Sequence, residues 1–263
     1  MRELLQSAVA LAVQAAVLIE QIYETDFKVQ DKADLSPLTE ADLVAHNVIA
    51  GGLSALSSWP IISEEAALVD WQIRRRWERY WLIDPLDGTK EFVKRNGEFT
   101  VNIALIEHGK PILGVVVAPI LKRSYFAAQG LGAFRQDWGH APIPIHVSEH
   151  AQAAVWRVVG SRSHQSDEVK ALLAFIGNVS LVSMGSSLKF CLVAEGAADL
   201  YPRLAPTSEW DTAAAQCVVE QAGGAVLTRE LAPLAYNGKE SIVNPHFIVC
   251  GARDPAWGDF FVQ

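Results

Sequence analysis

Two aspartates three positions apart, Asp84 and Asp87, follow the apolar run Tyr80-Trp81-Leu82-Ile83 and lead into Gly88-Thr89. Carboxylates at a strand end, next to a glycine-containing turn, are well placed to hold a hard cation, and magnesium takes oxygen ligands in octahedral geometry. Pro85 stiffens the turn, so both side chains can converge on one point. Two such ions a few Å apart can clamp the attacking and leaving oxygens of an in-line displacement. Lys90–Lys94 reads as a short helix whose free N–H groups, behind Gly88, can cradle an anion. Asp42, Glu64-Glu65 and Asp211 are further carboxylates at points where the backbone changes state. Each has an ordinary alternative. Asp42 can complete a capping box with Thr39, Asp211 can cap its own helix, and Glu64-Glu65 can be an exposed acidic pair. The Asp84–Thr89 hexapeptide has no such ordinary role, because a surface turn does not need two aspartates after so apolar a strand.

Phosphatases of the haloacid dehalogenase class place their aspartates two apart in DxDGT, with no acidic pair upstream. The spacing here is three and Glu64-Glu65 precedes it, which favours a metal-activated water over an aspartyl-phosphate. Ser63-Glu64-Glu65, Asp84-Pro85-Leu86-Asp87-Gly88-Thr89 and Trp210-Asp211-Thr212-Ala213-Ala214 resemble, in order, the three signatures of the lithium-sensitive, magnesium-dependent phosphatase superfamily. That superfamily includes inositol monophosphatase, fructose-1,6-bisphosphatase and the 3'(2'),5'-bisphosphate nucleotidases. Lys90–Asn102 and Gly185–Cys191 resemble the bacterial bisphosphate nucleotidase branch. The resemblance implies Glu64, Asp84, Asp87, Asp211 and the Leu86 carbonyl as ligands of two or more magnesium ions. It implies Asp42 and Thr89, with Glu64, at the catalytic centre, and Gly88 and Thr89 on the scissile phosphate. One departure is visible: the family's third motif usually ends in glycine where Ala215 stands, which puts close packing at that helix in question.

The resemblance further implies that His164, Ser186, Lys189 and Arg203, with Asp211, bind a bisphosphorylated nucleotide. A substrate with two phosphates needs cationic donors away from the metals, and arginine's planar fork suits phosphate. Ser186 and Lys189 are expected one turn apart on one helix face. Lys189 and Arg203 are otherwise ordinary surface cations. The expected reaction is hydrolysis of adenosine 3',5'-bisphosphate to AMP and phosphate, clearing a by-product of sulfate assimilation, with phosphoadenylyl sulfate as a second substrate. Inositol monophosphatase activity on the same fold and a non-catalytic, metal-binding regulatory role are the alternatives. His146 and His150 share a metal-like spacing but lack a third ligand, and Arg74-Arg75-Arg76 with Arg79 reads as a solvated basic face.

These residues need a scaffold, and 263 residues, half of them hydrophobic, supply a globular one. A net charge of −8 disfavours a nucleic-acid polymer as partner. It does not disfavour a small phosphorylated ligand, because bound divalent cations would reverse the local field. Three scattered cysteines indicate neither a zinc cluster nor a disulfide framework, and a reducing cytoplasm, with the protein free or peripheral at the inner membrane, is the expected location. Leu4, Ala8, Leu11, Ala15, Leu18 and Ile22 form a helical stripe, so the N-terminal segment reads as a buried amphipathic helix; no apolar run is expected to span a membrane. Asp26–Pro37 reads as a loop, Thr39–Leu56 as a helix, and 99–135 as an antiparallel meander. Trp138–Pro144 marks the expected boundary between a metal- and phosphate-binding lobe, 1–145, and a nucleotide-binding lobe, 146–263, that also supplies Asp211. The second half alternates strand and helix. The fold class is therefore α/β, a layered sandwich with an antiparallel meander sheet in the first lobe and a mixed sheet with helices in the second.

Overall fold

A computed structural model of the chain describes residues 1–31, 37–149, 155–160, 166–251 and 255–262. The first helix, α1 (Arg2–Tyr23), buries Leu5, Ala8, Ala12, Ala15, Ala16 and Ile19. The buried line is rotated from the expected one. Leu4, Leu11, Leu18 and Ile22 flank it half-buried, because the alanines are small enough to lie in the closest contact. By length and composition α1 is long and apolar enough to cross a membrane, contrary to the expectation from the sequence, but it packs on its neighbours instead. Asp26–Pro37 is not all loop: β1 (Val29–Asp31) pairs antiparallel with β2 (Pro37–Thr39). The second helix, α2 (Glu40–Leu56), starts at the Thr39 cap and approaches α1 closely at Gly52, where a Cβ would lie 2.2 Å from a methyl of Leu11.

A seven-stranded sheet follows, built from β3 (Ile61–Ser63), β4 (Arg79–Asp87), β5 (Thr100–Glu107), β6 (Lys110–Ala118), β7 (Arg123–Ala128), β8 (Gly132–Asp137) and β9 (Ile143–Ile145) in sequence order. β3 runs parallel to β4, and every later pair is antiparallel. The expected meander is present. The stretch taken as a lobe boundary contributes an edge strand, β9, where Pro142 and Pro144 cost little because an edge needs fewer ladder bonds. Between β3 and β4 lies α3 (Trp71–Arg74), and here one expectation fails. Arg74 is not part of a solvated face; it is 1% exposed, and its guanidinium donates to Asn237 Oδ1 at 2.5 Å and to the carbonyls of Lys239 and Glu240.

After β4 comes α4 (Thr89–Val93). The second half holds β10 (Trp156–Gly160), α5 (Asp167–Ile176), β11 (Val179–Ser183), α6 (Leu188–Ala194), β12 (Leu200–Arg203), a 3-10 turn (Glu209–Asp211), α7 (Ala213–Gln221), β13 (Ala225–Thr228), β14 (Phe247–Cys250) and α8 (Pro255–Val262). The sequence reading did not anticipate α8. The strands form a mixed sheet in the order β11-β10-β12-β14-β13. α6 and α7 lie between the two sheets, burying Leu188, Phe190, Val193, Ala214, Cys217 and Val218 in one core with residues of both. α1 and α2 cover the other face of the large sheet, and α5 and α8 that of the small one. The result is five alternating layers of helix and sheet, each apolar face covered.

Candidate active site and metal centre

The parallel pairing of β3 and β4 sets Ser63 opposite Ile83, so the next residues, Glu64 just past β3 and Asp84 still in β4, come side by side. Asp211, at the end of the 3-10 turn before α7, completes the group. Ligand oxygens of Glu64, Asp84 and Asp211 lie within 4.8 Å of one another. β4 carries one extra residue against β5 between Asp84 and Asp87. Pro85, which has no N–H to offer the ladder, sits in that bulge, and the bulge re-aims Asp87. Asp84 is 1% exposed; its Oδ1 accepts from Leu86 N–H at 3.0 Å, whereas Oδ2 is buried with no hydrogen-bond donor among the described residues. Burial, then the charges of Glu64, Asp87 and Asp211, push the Asp84 carboxyl well above the usual carboxylate range. Burial and the Asp87 charge push Asp211 up to about 8, against the Ser208 N–H that favours its ionised form. Crowded carboxylates with an orphaned buried oxygen need either protons or a cation, and an all-oxygen donor set fits a hard divalent ion.

Asp42 and Thr89 meet beside this cluster. Asp42 Oδ2 accepts from Thr39 N–H at 2.7 Å and from the Thr39 hydroxyl at 2.6 Å, while Thr89 Oγ1 lies 3.3 Å from Asp42 Oδ1. The capping reading of Asp42 is borne out through Oδ2, and Oδ1 is left facing Thr89. Thr89 Oγ1 is also 3.3 Å from the Leu86 carbonyl. Gly88 caps α4 in the left-handed region, at φ 93°, where a Cβ would press on the Glu98 carbonyl and Ser186 at 3.3 Å. α4 has only five residues, so its dipole is small and an anion would rely on the free N–H groups themselves.

Asp87 is held from the far side. Its Oδ2 accepts from Ser187 N–H at 2.6 Å and from the Ser187 hydroxyl at 2.8 Å. Ser187 was not singled out from the sequence as a site residue. Only its place next to Ser186 in a block of family likeness pointed to it. His46 also went unremarked. It lies one turn after Asp42 on α2, with Nδ1 2.8 Å from Ser63 Oγ, and burial lowers its pKa.

From Asp87 and Asp211 a cavity of about 770 Å³ extends past Ser186, Lys189 and Arg203. Ser186 is not on the helix with Lys189. It precedes α6 with φ 43°, and Ser187 is the cap, so the two residues reach one cavity from a turn and a helix respectively. Lys189 has no salt bridge among the described residues; its Nζ stands 5.6 Å from the centre of the Tyr201 ring, and burial lowers its pKa to about 8. Arg203 donates to the carbonyls of Ala205 and Pro206 at 3.2 and 2.8 Å, so part of its guanidinium shapes the following loop. His164 and His150 lie outside the described residues.

The family model described as the inositol monophosphatase family matches residues 1–253. The chain belongs to the inositol monophosphatase family. It is 50% identical over 249 residues to the 3'(2'),5'-bisphosphate nucleotidase CysQ of Shigella flexneri, covering 94% of this chain and 99% of that one. It is 49% identical over 252 residues to CysQ of Escherichia coli K12, with the same coverage. The crystal structure of CysQ from Bacteroides thetaiotaomicron superposes with a TM-score of 0.83 at 41% identity, covering 97% of this chain and 99% of that one. As a member of the inositol monophosphatase family the chain is a phosphatase, and its layered α/β fold is the one the sequence led us to expect. Ala215, the departure noted in the third motif, is buried on α7. The close approach of α7 to the sheet is made instead at Gly114 of β6, where a Cβ would lie 2.1 Å from the Ala214 carbonyl.

Proposed function

We propose that the chain is a magnesium-dependent 3'(2'),5'-bisphosphate nucleotidase that converts adenosine 3',5'-bisphosphate and water to AMP and phosphate. The observation that carries this reading is the cavity joining Asp87 and Asp211 at one end to Lys189 and Arg203 at the other. Lys189 stands without a salt bridge among the described residues beside a second cation, Arg203, whose charge further lowers its pKa. A half-buried ammonium lining a cavity in this way is best satisfied by a bound anion. A bisphosphate supplies one there while its other phosphate reaches the acidic cluster. An inositol monophosphate would leave Lys189 bare, which ranks that activity second.

Glu64, Asp84 and Asp211 would hold magnesium, with the free Asp87 oxygen and the Leu86 carbonyl as further donors, and two or more ions fit that many ligands. Bound magnesium supplies positive charge at the scissile phosphate and makes a water more acidic. Thr89 Oγ1 can orient that water and pass a proton to Asp42 Oδ1, at 3.3 Å. The Gly88 and Thr89 amides hold the phosphate oxygens. Ser186, Lys189, Arg203 and His164 hold the nucleotide end. The ligands come from two lobes, 1–145 and 146–263. Three buried cysteines that form no disulfide among the described residues suit a reducing cytoplasm.

The test is phosphate release from adenosine 3',5'-bisphosphate, phosphoadenylyl sulfate, AMP and inositol 1-phosphate, each with magnesium and with a chelator. Magnesium-dependent preference for the bisphosphate is expected; preference for inositol 1-phosphate would overturn the reading.

A further inference from the structure

Ser187 lies at the start of α6, is 2% exposed, and touches three segments of chain at once. Its hydroxyl faces Asp87 Oδ2 at 2.8 Å and the Asp211 carbonyl at 2.7 Å, and it accepts from Asn102 Nδ2 at 2.9 Å. A hydroxyl has one proton, so it can donate to only one of the two acceptors at a time. The Ser187 amide, 2.6 Å from the same Asp87 oxygen, is a second donor to it. Thr100 Oγ1, at 3.4 Å, is a third donor to Asp87 Oδ2. Oδ2 is thus crowded with donors, and Oδ1 receives none among the described residues.

We infer that Ser187 is a positioning residue that fixes Asp87 to present a single oxygen, Oδ1, to a bound divalent cation. This deepens the proposed reading and rests on the cation site within it, not on the identity of the nucleotide. The arrangement suits the chemistry. A carboxylate with one oxygen already saturated loses less freedom on binding a cation, and partners of metal ligands typically set both orientation and affinity.

The experiment is calorimetric titration of substrate-free protein with magnesium or manganese, for the wild type, Ser187→Ala, Asp87→Asn and the double variant. Ser187→Ala is expected to weaken cation binding by about tenfold or more. In the Asp87→Asn background the same change is expected to alter the remaining affinity by less than about twofold, because residues acting through one another are not additive. Thermal melts in chelator establish that each variant is folded. Should Ser187→Ala not fold, Asn102→Ala, which removes the donor to the Ser187 hydroxyl, is expected to weaken binding in the same direction. Wild-type affinity in the folded variants would overturn the inference, as would an equal loss from Ser187→Ala with and without Asp87. The measurement uses no nucleotide, so a failed substrate assignment leaves it intact.

Discussion

Thr89 Oγ1 lies 3.3 Å from Oδ1 of Asp42, the carboxylate whose other oxygen closes the capping box of α2 with Thr39. One side chain thus holds a helix end and faces the residue expected to orient the attacking water. The two duties can be separated by mutation.

Thr89→Ala is expected to lower kcat by about a hundredfold or more, the range of a lost proton-transfer partner, and to leave the thermal midpoint unchanged. Asp42→Ala is expected to lose comparable activity and also about 1 kcal/mol of stability through the lost cap. Steady-state kinetics and thermal melts on both variants distinguish them; equal stability would remove the capping duty of Asp42.

Asp84 is the most exacting carboxylate in the cluster, buried with Oδ2 lacking a donor among the described residues. Asp84→Asn removes one of the crowded charges. In chelator it is expected to melt above the wild type. Saturating magnesium should then stabilise the wild type by about 2.7 kcal/mol at a hundred times its Kd, and the variant by much less. A chelated variant that melts below the wild type would show that charge crowding is not what the site must relieve.

Protons compete for the same oxygens. Asp211 is raised to about 8 and Glu209, also buried, to about 7. Raised carboxyl pKa values mean that the native metal-free state holds protons which the unfolded chain has already released. Their contribution to stability is therefore complete below the unfolded values near pH 4 and is lost as pH rises through about 7 to 8. Melts in chelator should fall across that window, and magnesium should flatten the fall; a flat profile in chelator would contradict the raised values.

Lys189, lowered to about 8 by burial, is charged below that value and neutral above it. The ratio of KM for the bisphosphate to KM for adenosine 3'-monophosphate should rise as pH passes about 8, a ratio in which the cation site cancels. Lys189→Met should raise the bisphosphate KM by about tenfold or more, in line with about 1.5–3 kcal/mol for a hydrogen bond to a charged group. Equal losses on both substrates would remove Lys189 from the second phosphate.

The acidic cluster of Glu64, Asp84 and Asp211 was legible because its members stand where strands and helices begin or end. Asp84-Pro85-Leu86-Asp87 reads as a stiffened turn, which the structure makes a bulge within β4, and Thr39 with Asp42 reads as a cap. The large sheet was equally plain, since 99–135 alternates runs of β-branched residues with turns. Arg74 was misread because three successive arginines look solvated. What buries the first is Asn237 and the carbonyls of Lys239 and Glu240, more than 160 positions away. Ser186 was expected on α6 but stands two residues before it, in the left-handed region at φ 43°, where a helix cannot continue.

By itself, then, the sequence determined which carboxylates could act together, the large meander sheet and the alternation that follows it, and the family they belong to, since motifs and periodicities are local properties of the chain. The tertiary structure alone decided that Asp87 is gripped by Ser187, that Lys189 stands half-buried without a salt bridge among the described residues, and that Gly114 rather than the third-motif helix provides the close approach of α7. Those facts depend on which distant backbone amide, ring or carbonyl arrives within 3–6 Å, and only the packing of two sheets around α6 and α7 brings them there.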